Sequence, residues 1–159
     1  MQYLIMALMA AAMVGIDQYT KYLTLQNIPL HESVAAVPGV FRFTYVRNYG
    51  AAWSSFQGQQ WLFASIFVIL TAVMIWEFTR KKSGFMNFER WCFAVIWAGG
   101  LGNMIDRVRF GYVVDMVNLE FMNFPVFNVA DCFITCGCIA LLAHLIFFNK
   151  DFWKEKKEQ

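Results

Sequence analysis

Residues 99–116 read GGLGNMIDRVRFGYVVDM and place ionisable groups directly beside a long apolar stretch. The apolar segments around this run are long enough to cross a bilayer. A charged side chain in or beside such a segment is costly, so by default it marks a functional site. Five such groups stand in the chain: Asp17, Asp106, Arg107, Asp115 and Asp131.

The composition of the chain indicates a membrane protein. Of its 159 residues, 59% are hydrophobic and only 15% are charged, whereas a soluble domain is about half apolar and about a quarter charged. The length suits a single domain. A formal net charge of +2 without a basic stripe excludes a nucleic-acid partner.

Four apolar runs predict an all-α polytopic membrane protein, since a bilayer needs about 20 apolar residues for each helical span. The spans are expected at about 2–23, 61–78, 91–105 and 129–148. The loop at 79–90 carries four basic residues, and the tail after residue 148 is rich in lysine. Because positive loops stay inside, both termini are expected in the cytoplasm.

This orientation brings the polar residues of the spans and loops to one side. The loops at 22–60 and 106–127 then lie on the extracytoplasmic side, at or near the membrane surface. Eight residues map there: Asp17, Asn48, Asn103, Asp106, Arg107, Asp115, Asn128 and Asp131. A cluster of this kind predicts one site near the extracytoplasmic surface.

The outer loops contain a small β-rich element. Residues 40–46 alternate, which predicts a strand with Phe41, Phe43 and Tyr45 on one face. The following Asn48 and Gly50 suit a turn, and the β-branched run 112–119 predicts a second strand. Such a sheet could bind an extended peptide by strand addition, or the strands could simply cap the bundle.

The acids differ in how easily a structural role explains them. Asp106 and Arg107 could form an ion pair or grip a substrate backbone. Asp131 could be a helix-cap acid, with Thr135 on the same face as a possible hydrogen-bond partner. Asp115 lies in a β-like apolar stretch without a local cation and has no comparable structural explanation.

Asp115 and Asp131 are therefore the candidate catalytic pair. Two carboxylates in a low-dielectric site cannot both ionise readily, so the pair supplies one base and one acid near neutral pH. The base would take a proton from water, and the acid would protonate a peptide carbonyl oxygen. This chemistry requires no metal or cofactor, and neither His31 nor His144 is placed for catalysis.

The cysteines predict neither a disulfide framework nor a metal site. All four fall in apolar runs and are expected to be buried thiols, as free cysteine usually is. They are Cys92, Cys132, Cys136 and Cys138.

Four motifs resemble those of the lipoprotein signal peptidases, also called signal peptidase II, and occur in that family's order. They are DQYTK at 17–21, RNYGAAWS at 47–54, the opening run at 99–116 and FPVFNVADCFITCG at 124–137. The resemblance covers essentially the whole chain. It implies an aspartic peptidase of the bacterial cytoplasmic membrane that cleaves diacylglyceryl-modified prolipoproteins just before the lipid-modified cysteine.

The resemblance also implies roles for individual residues. Asp115 and Asp131 match the family's catalytic dyad, and Asp17 matches an acid that supports the site. The residues that match other supporting or lining positions are Asn48, Gly50, Asn103, Asp106, Arg107 and Asn128. Tyr49 and Trp53 stand where the family often has threonine and phenylalanine, which concerns specificity. The enzyme is expected to act as a monomer among membrane lipids.

Two other functions compete with the peptidase. A small transporter or proton channel could use Asp17, Asp106 and Asp131 as a relay. A non-catalytic membrane scaffold would need the aspartates only for folding.

Overall fold

The computed structural model describes residues 1–50, 56, 58–80 and 86–149. The described chain forms four helices and one sheet of three strands. In chain order these are α1 (Gln2–Asn27), β1 (Ser33–Val37), β2 (Phe41–Asn48), α2 (Gln60–Thr79), α3 (Asn87–Phe110), β3 (Val113–Leu119) and α4 (Val129–Phe147).

Helix α3 is longer than the span predicted at 91–105, because it includes Asp106 and Arg107 within its last turns. At its start the Glu89 carboxylate accepts a hydrogen bond from the Met86 backbone at 2.8 Å. At its end Gly111 adopts φ 77°, the left-handed geometry that terminates helices. At about 1.5 Å per residue the helix is about 36 Å long, enough to cross the hydrocarbon core.

Three of the described helices, α1, α2 and α4, are long and apolar enough to span a membrane. Helix α3 is not among them, since it carries charged residues at both ends. It is instead the central helix and packs against each of the other three.

The helices run alternately up and down. Tyr3 near the start of α1 donates to the Phe78 carbonyl near the end of α2, at 3.5 Å. Near the start of α3, Glu89 lies 2.9 Å from His144 in the last turn of α4. The start of α1, the end of α2, the start of α3 and the end of α4 therefore share one end of the bundle, and the sheet lies at the other.

The sheet is antiparallel in the order β1-β2-β3. Strand β1 was not predicted, because all five of its residues are exposed and none alternates with a buried neighbour. The predicted alternation in β2 is wrong beyond Phe43. The register shifts between Phe43 and Val46, so Thr44 and Tyr45 are both buried while Phe43 is exposed.

The buried side of this sheet packs on the end of α1. Ile28, Tyr45, Val114 and Met116 form its small apolar core. A bridge from Val117 to Phe127 continues the pairing beyond β3 and leads the chain into α4.

Glycines let α3 approach its neighbours closely. A Cβ atom at Gly99 would lie 2.5 Å from the Ala130 carbonyl oxygen of α4, and one at Gly102 would lie 2.5 Å from a carboxylate oxygen of Asp17 on α1. Small residues allow this close packing between membrane helices. The packing fixes the distances between polar groups carried on different helices.

The expectation of four buried thiols is wrong. All four cysteines are free, but only Cys92 is buried by the protein, whereas Cys132 and Cys136 are exposed on α4 and Cys138 is half-buried. Exposed thiols on a lipid-facing or cavity-facing helix surface still lie in apolar surroundings, which explains how the composition misled the prediction.

We expect Gly99→Ala to lower the melting temperature in detergent by several degrees. The added methyl group meets backbone, so α4 must shift, and overpacking of this kind costs about 1–3 kcal/mol. Gly15→Ala is the matched control, because nothing lies within 4 Å of its Cβ position. Both variants gain the same helix propensity, so equal melting temperatures would contradict the close approach.

Candidate active site

Asn128 joins the two candidate catalytic carboxylates. Its side-chain amide donates to Asp115 Oδ1 at 2.7 Å, and its backbone N–H donates to Asp131 Oδ2 at 3.1 Å. Asn128 is fully buried, and Asp115 is only 2% exposed. In the structure Asp115 and Asp131 therefore bond the same residue, Asn128, although 16 positions separate them in the sequence.

The position of Asp131 follows from the start of α4. Asn128 is the N-cap residue, and its side-chain oxygen accepts from the Asp131 backbone at 3.0 Å. With the return bond from the Asn128 backbone this forms a capping box. The cap interpretation of Asp131 is thus correct, and it also places a carboxylate beside Asp115.

Asp115 is held by groups from the sheet. It pairs with Val46 across β2 and β3, and Asn48 at the end of β2 donates to its Oδ2 at 2.8 Å. Burial, together with the charge of Asp131, raises the pKa of Asp115 to about 7, while the hydrogen bonds from Asn48 and Asn128 lower it in part. Asp115 can therefore carry a proton close to neutral pH.

Asn103 on α3 supports Asp131. Its amide nitrogen donates to Asp131 Oδ1 at 2.8 Å. Its oxygen accepts from the Asn128 amide at 3.1 Å and from Lys21 at 2.9 Å. Each dyad carboxylate thus receives two N–H donors, which hold both side chains in a defined orientation.

Lys21 on α1 is buried among oxygen atoms. Its ammonium lies 2.9 Å from Asp17 and 3.1 Å from Asp106. The suggested ion pair between Asp106 and Arg107 is therefore wrong: Asp106 pairs with Lys21, because adjacent helical residues face different directions. Gln18 also donates to Asp106, at 2.9 Å.

Asp17 and Asp106 also fix neighbouring elements. Asp17 accepts from the Ala130 backbone at the start of α4, at 3.0 Å. Asp106 accepts from the Val114 backbone at the start of β3, at 3.0 Å. Each acid therefore holds in place an element that carries one of the dyad residues.

Arg107 turns away from these acids towards the loop after β2. It donates to the Gly50 carbonyl at 3.0 Å and to the Asn103 carbonyl at 3.3 Å. Its guanidinium also stacks over Phe63 of α2, 4.2 Å from the ring centre. Gly50 is itself fixed by its N–H bond to the Asn48 side chain at 2.9 Å, the turn that the sequence predicts.

A cavity of about 660 Å³ opens beside the dyad. Asp115, Asp131, Asn48, Asn103 and Arg107 line its polar end. Apolar residues of α2, α3 and α4, together with Val113 and the segment 124–127, line most of the rest. On α2 they reach Leu70, about 15 Å from the start of that helix. The cavity therefore joins a pair of acids to a long apolar groove.

Sequence reasoning missed two residues of the site, Lys21 and Gln18. The four-residue spacing of Asp17 and Lys21 put them on one helix face, but nothing in the sequence showed that the pair would also meet α3. Thr135, predicted to bond Asp131, instead lines the cavity. Tyr49 is exposed and packs 5.6 Å from the Tyr112 ring, and Trp53 lies outside the described residues.

The histidines lie away from the dyad. His31 is in the turn before β1, and His144 bonds Glu89 at the opposite end of the bundle. Within the described ranges, no group of three histidine, cysteine, aspartate or glutamate side chains is placed to hold a metal ion.

The family model described as signal peptidase (SPase) II matches residues 9–147. The chain belongs to the signal peptidase II family. It is 45% identical to a lipoprotein signal peptidase of Enterococcus faecalis over 145 residues, covering 90% of this chain and 88% of the relative. It is 39% identical to one from Streptococcus agalactiae serotype Ia over 159 residues, covering 98% and 96%.

Solved structures agree with this family membership. A bacterial membrane enzyme determined by the in meso method at 2.3 Å resolution matches with a TM-score of 0.85 and 31% identity, covering 98% of this chain and 94% of that one. A second, determined at 1.9 Å resolution, matches with a TM-score of 0.80 and 32% identity, covering 91% and 94%. A protease is thereby favoured over a transporter or a scaffold.

We expect Asp115 to titrate with a pKa of about 7 in carbon-detected NMR of the aspartate carboxyl groups in micelles. In Asn48→Leu the pKa of Asp115 should rise further, because a hydrogen bond that favours the ionised form is removed. Asn27→Leu is the control, since within the described part of the chain the Asn27 side chain bonds only the Leu23 carbonyl of its own helix. An unchanged pKa in Asn48→Leu would contradict the assigned contact.

Proposed function

We propose that this protein is an intramembrane aspartic endopeptidase acting on diacylglyceryl-modified bacterial prolipoproteins. It removes the signal peptide by cleaving just before the lipid-modified cysteine. The observation that carries the proposal is the carboxylate pair Asp115 and Asp131, joined by Asn128 at the polar end of an apolar cavity. Membership of the signal peptidase II family supplies the substrate class.

The reaction uses the pair as one acid and one base. The ionised carboxylate removes a proton from water, and the hydroxide oxygen forms a bond to the carbonyl carbon of the scissile peptide. The protonated carboxyl gives its proton to the carbonyl oxygen. When the tetrahedral intermediate collapses, the C–N bond breaks and the carboxyl that took the proton from water gives it to the nitrogen of the leaving cysteine. One hydroxyl of the intermediate returns its proton to the other carboxylate, which restores the starting pair.

We assign the acid to Asp115 and the base to Asp131 in the free enzyme. Asp115 is buried and has a pKa raised to about 7 by that burial and by the charge of Asp131. Asp131 lies at the N-terminus of α4, where a negative charge is favoured. Because the charge of Asp131 acts on Asp115, the assignment describes where the proton of the pair is held most of the time.

Arg107 and Asn48 are proposed to hold the substrate backbone at the polar end of the cavity. The Arg107 Nε atom is buried and has no hydrogen-bond partner among the described residues. A buried donor without a partner is costly, and a peptide carbonyl entering the cavity would satisfy it. Asn48 already contacts Asp115, so a peptide held here lies beside the acid.

The apolar part of the cavity suits a substrate that arrives within the bilayer. Phe63, Ile66, Phe67 and Leu70 of α2 supply one wall, and Ile134 of α4 belongs to another. An apolar lining of this kind can hold apolar side chains or acyl chains, and their binding leaves no polar group unpaired. Tyr49 and Trp53 are the positions at which specificity is proposed to differ from other members of the family.

For the membrane we propose four spans, with α3 as the third despite its charged ends. Both termini are placed in the cytoplasm, so the sheet and the dyad lie near the extracytoplasmic surface. The support is the basic loop at 79–90 and the lysine-rich tail. Lys81, Lys82 and the tail from residue 150 lie outside the described residues. The enzyme is proposed to act as a monomer, with Asp17 in a supporting role.

We expect Asp115→Asn and Asp131→Asn each to lower cleavage of a diacylglyceryl-modified prolipoprotein at least about 100-fold, since positioned acid–base groups contribute about 10²–10⁴-fold. Both variants should still accumulate in the membrane. Glu32→Gln, an exposed acid near the start of β1, is the control and should cleave normally. Full activity in either dyad variant would refute the assignment. A proteoliposome proton-flux measurement on the same samples separates cleavage from transport.

We expect kcat/KM to fall as the pH rises through about 7, the pKa of Asp115. Below that pH Asp115 is protonated and can act as the acid. Above it both carboxylates are ionised and the pair has no proton to give. Initial rates with a lipid-modified peptide in micelles test this. A rate that stays constant from pH 6 to about 9 would exclude an acid with this pKa.

A further inference from the structure

Lys21 sets which groups donate and which accept hydrogen bonds around Asp115 and Asp131. Its side chain is 2% exposed, and its ammonium has three oxygen neighbours within 3.1 Å, on Asp17, Asp106 and Asn103. An ammonium has three hydrogen atoms and accepts no hydrogen bond, so each of these neighbours must present an oxygen. Lys21 therefore dictates which end of the Asn103 amide faces it.

The orientation of Asn103 has a direct consequence for Asp131. With its oxygen on Lys21, the Asn103 amide directs its NH₂ group to Asp131 Oδ1 at 2.8 Å. The reversed amide would set NH₂ against the ammonium and oxygen against the carboxylate, which places like partial charges together at both ends. The cation on α1 thus selects the amide orientation that donates to the dyad.

The orientation of Asn103 also affects Asp115, because Asn103 contacts Asn128 and Asn128 donates to Asp115. The Asn103 oxygen also accepts from the Asn128 amide at 3.1 Å, and that amide nitrogen donates to Asp115 Oδ1 at 2.7 Å. The Asn128 oxygen is occupied by the Asp131 backbone N–H. Both amides therefore have a single orientation that satisfies all their neighbours.

We propose that Lys21 is a positioning residue for the proposed cleavage reaction, acting through Asn103 and Asn128 to keep N–H donors directed at both dyad carboxylates. The proposal rests on the proposed function. Lys21 does not line the cavity and so does not contact substrate.

Charge adds to this positioning effect. Around the dyad, the described ionisable groups are Asp17 and Lys21 on α1, Asp106 and Arg107 on α3, Asp115 on β3, and Asp131 and Cys132 on α4. Burial and the charge of Asp131 raise the pKa of Asp115, and the ammonium of Lys21 is among the groups that lower it. Loss of Lys21 should therefore favour protonated Asp115 up to a higher pH.

The test compares Lys21→Met/Asp17→Asn with the wild type and with Arg90→Met. The double variant removes one buried charge of each sign, so it avoids leaving an unpaired carboxylate at residue 17. Asp106 loses its cation but keeps the hydrogen bonds from Gln18 and the Val114 backbone. Arg90→Met is the matched control, because it removes a cation at the opposite end of the bundle, where Arg90 bonds Tyr3. Melting temperature, kcat, KM and the pH profile of kcat/KM are measured with one lipid-modified peptide.

We expect the double variant to accumulate and to melt several degrees below the wild type, because buried Asp106 loses its cation, with KM within about 3-fold of the wild-type value. Its kcat should fall about 10–100-fold, by analogy with the loss seen when a group that orients a metal ligand is removed. The falling limb of the pH profile should move to higher pH. Arg90→Met should match the wild type in each measurement.

Two results would overturn the positioning role. One is a folded double variant with wild-type kcat and an unmoved pH limb. The other is a double variant that fails to accumulate, which would make the Lys21 ion cluster a requirement for folding rather than a positioning device. In either case cleavage by the wild type and by Arg90→Met leaves the proposed function standing, whereas absence of cleavage in all three proteins refutes the proposed function itself.

Discussion

The buried ammonium of Lys21, held by Asp17 and Asp106, is the interaction on which the rest of the site depends. An ionised group taken out of water costs several kcal/mol unless its partners are placed with good geometry. Here the partners come from α1 and α3, and each acid also accepts a backbone N–H from the element that carries a dyad residue. The ion cluster therefore fixes the mutual positions of α1, α3, β3 and α4 at one end of the bundle.

Close helix packing makes this cluster possible. Gly102 leaves room for the Asp17 carboxylate against α3, and Gly99 lets α3 contact the backbone at the start of α4. A side chain at either position would widen the gap, and hydrogen bonds near 3 Å weaken quickly with distance. The glycines of the opening motif thus serve the chemistry by setting helix separation.

The site combines rigidity on one side with an open apolar groove on the other. Asn48, Asn103 and Asn128 bind the dyad to the sheet and to α3, so the carboxylates have little freedom. The cavity beside them is lined mainly by apolar side chains. A preorganised polar end and an adaptable apolar wall suit a reaction in which one peptide bond is placed accurately while a variable apolar chain is accommodated.

Hydropathy and motifs in the sequence determined the apolar helices and the end of the bundle that carries the acids, and they predicted Asp115 and Asp131 as the catalytic pair. These features depend on local composition, which the chain carries without its fold. Only the tertiary structure decided three other features. They are strand β1, the register shift after Phe43 and the pairing of Asp106 with Lys21 rather than with Arg107. Each depends on a partner distant in the chain, because a buried charge pairs with whichever opposite charge the packing of helices brings within reach.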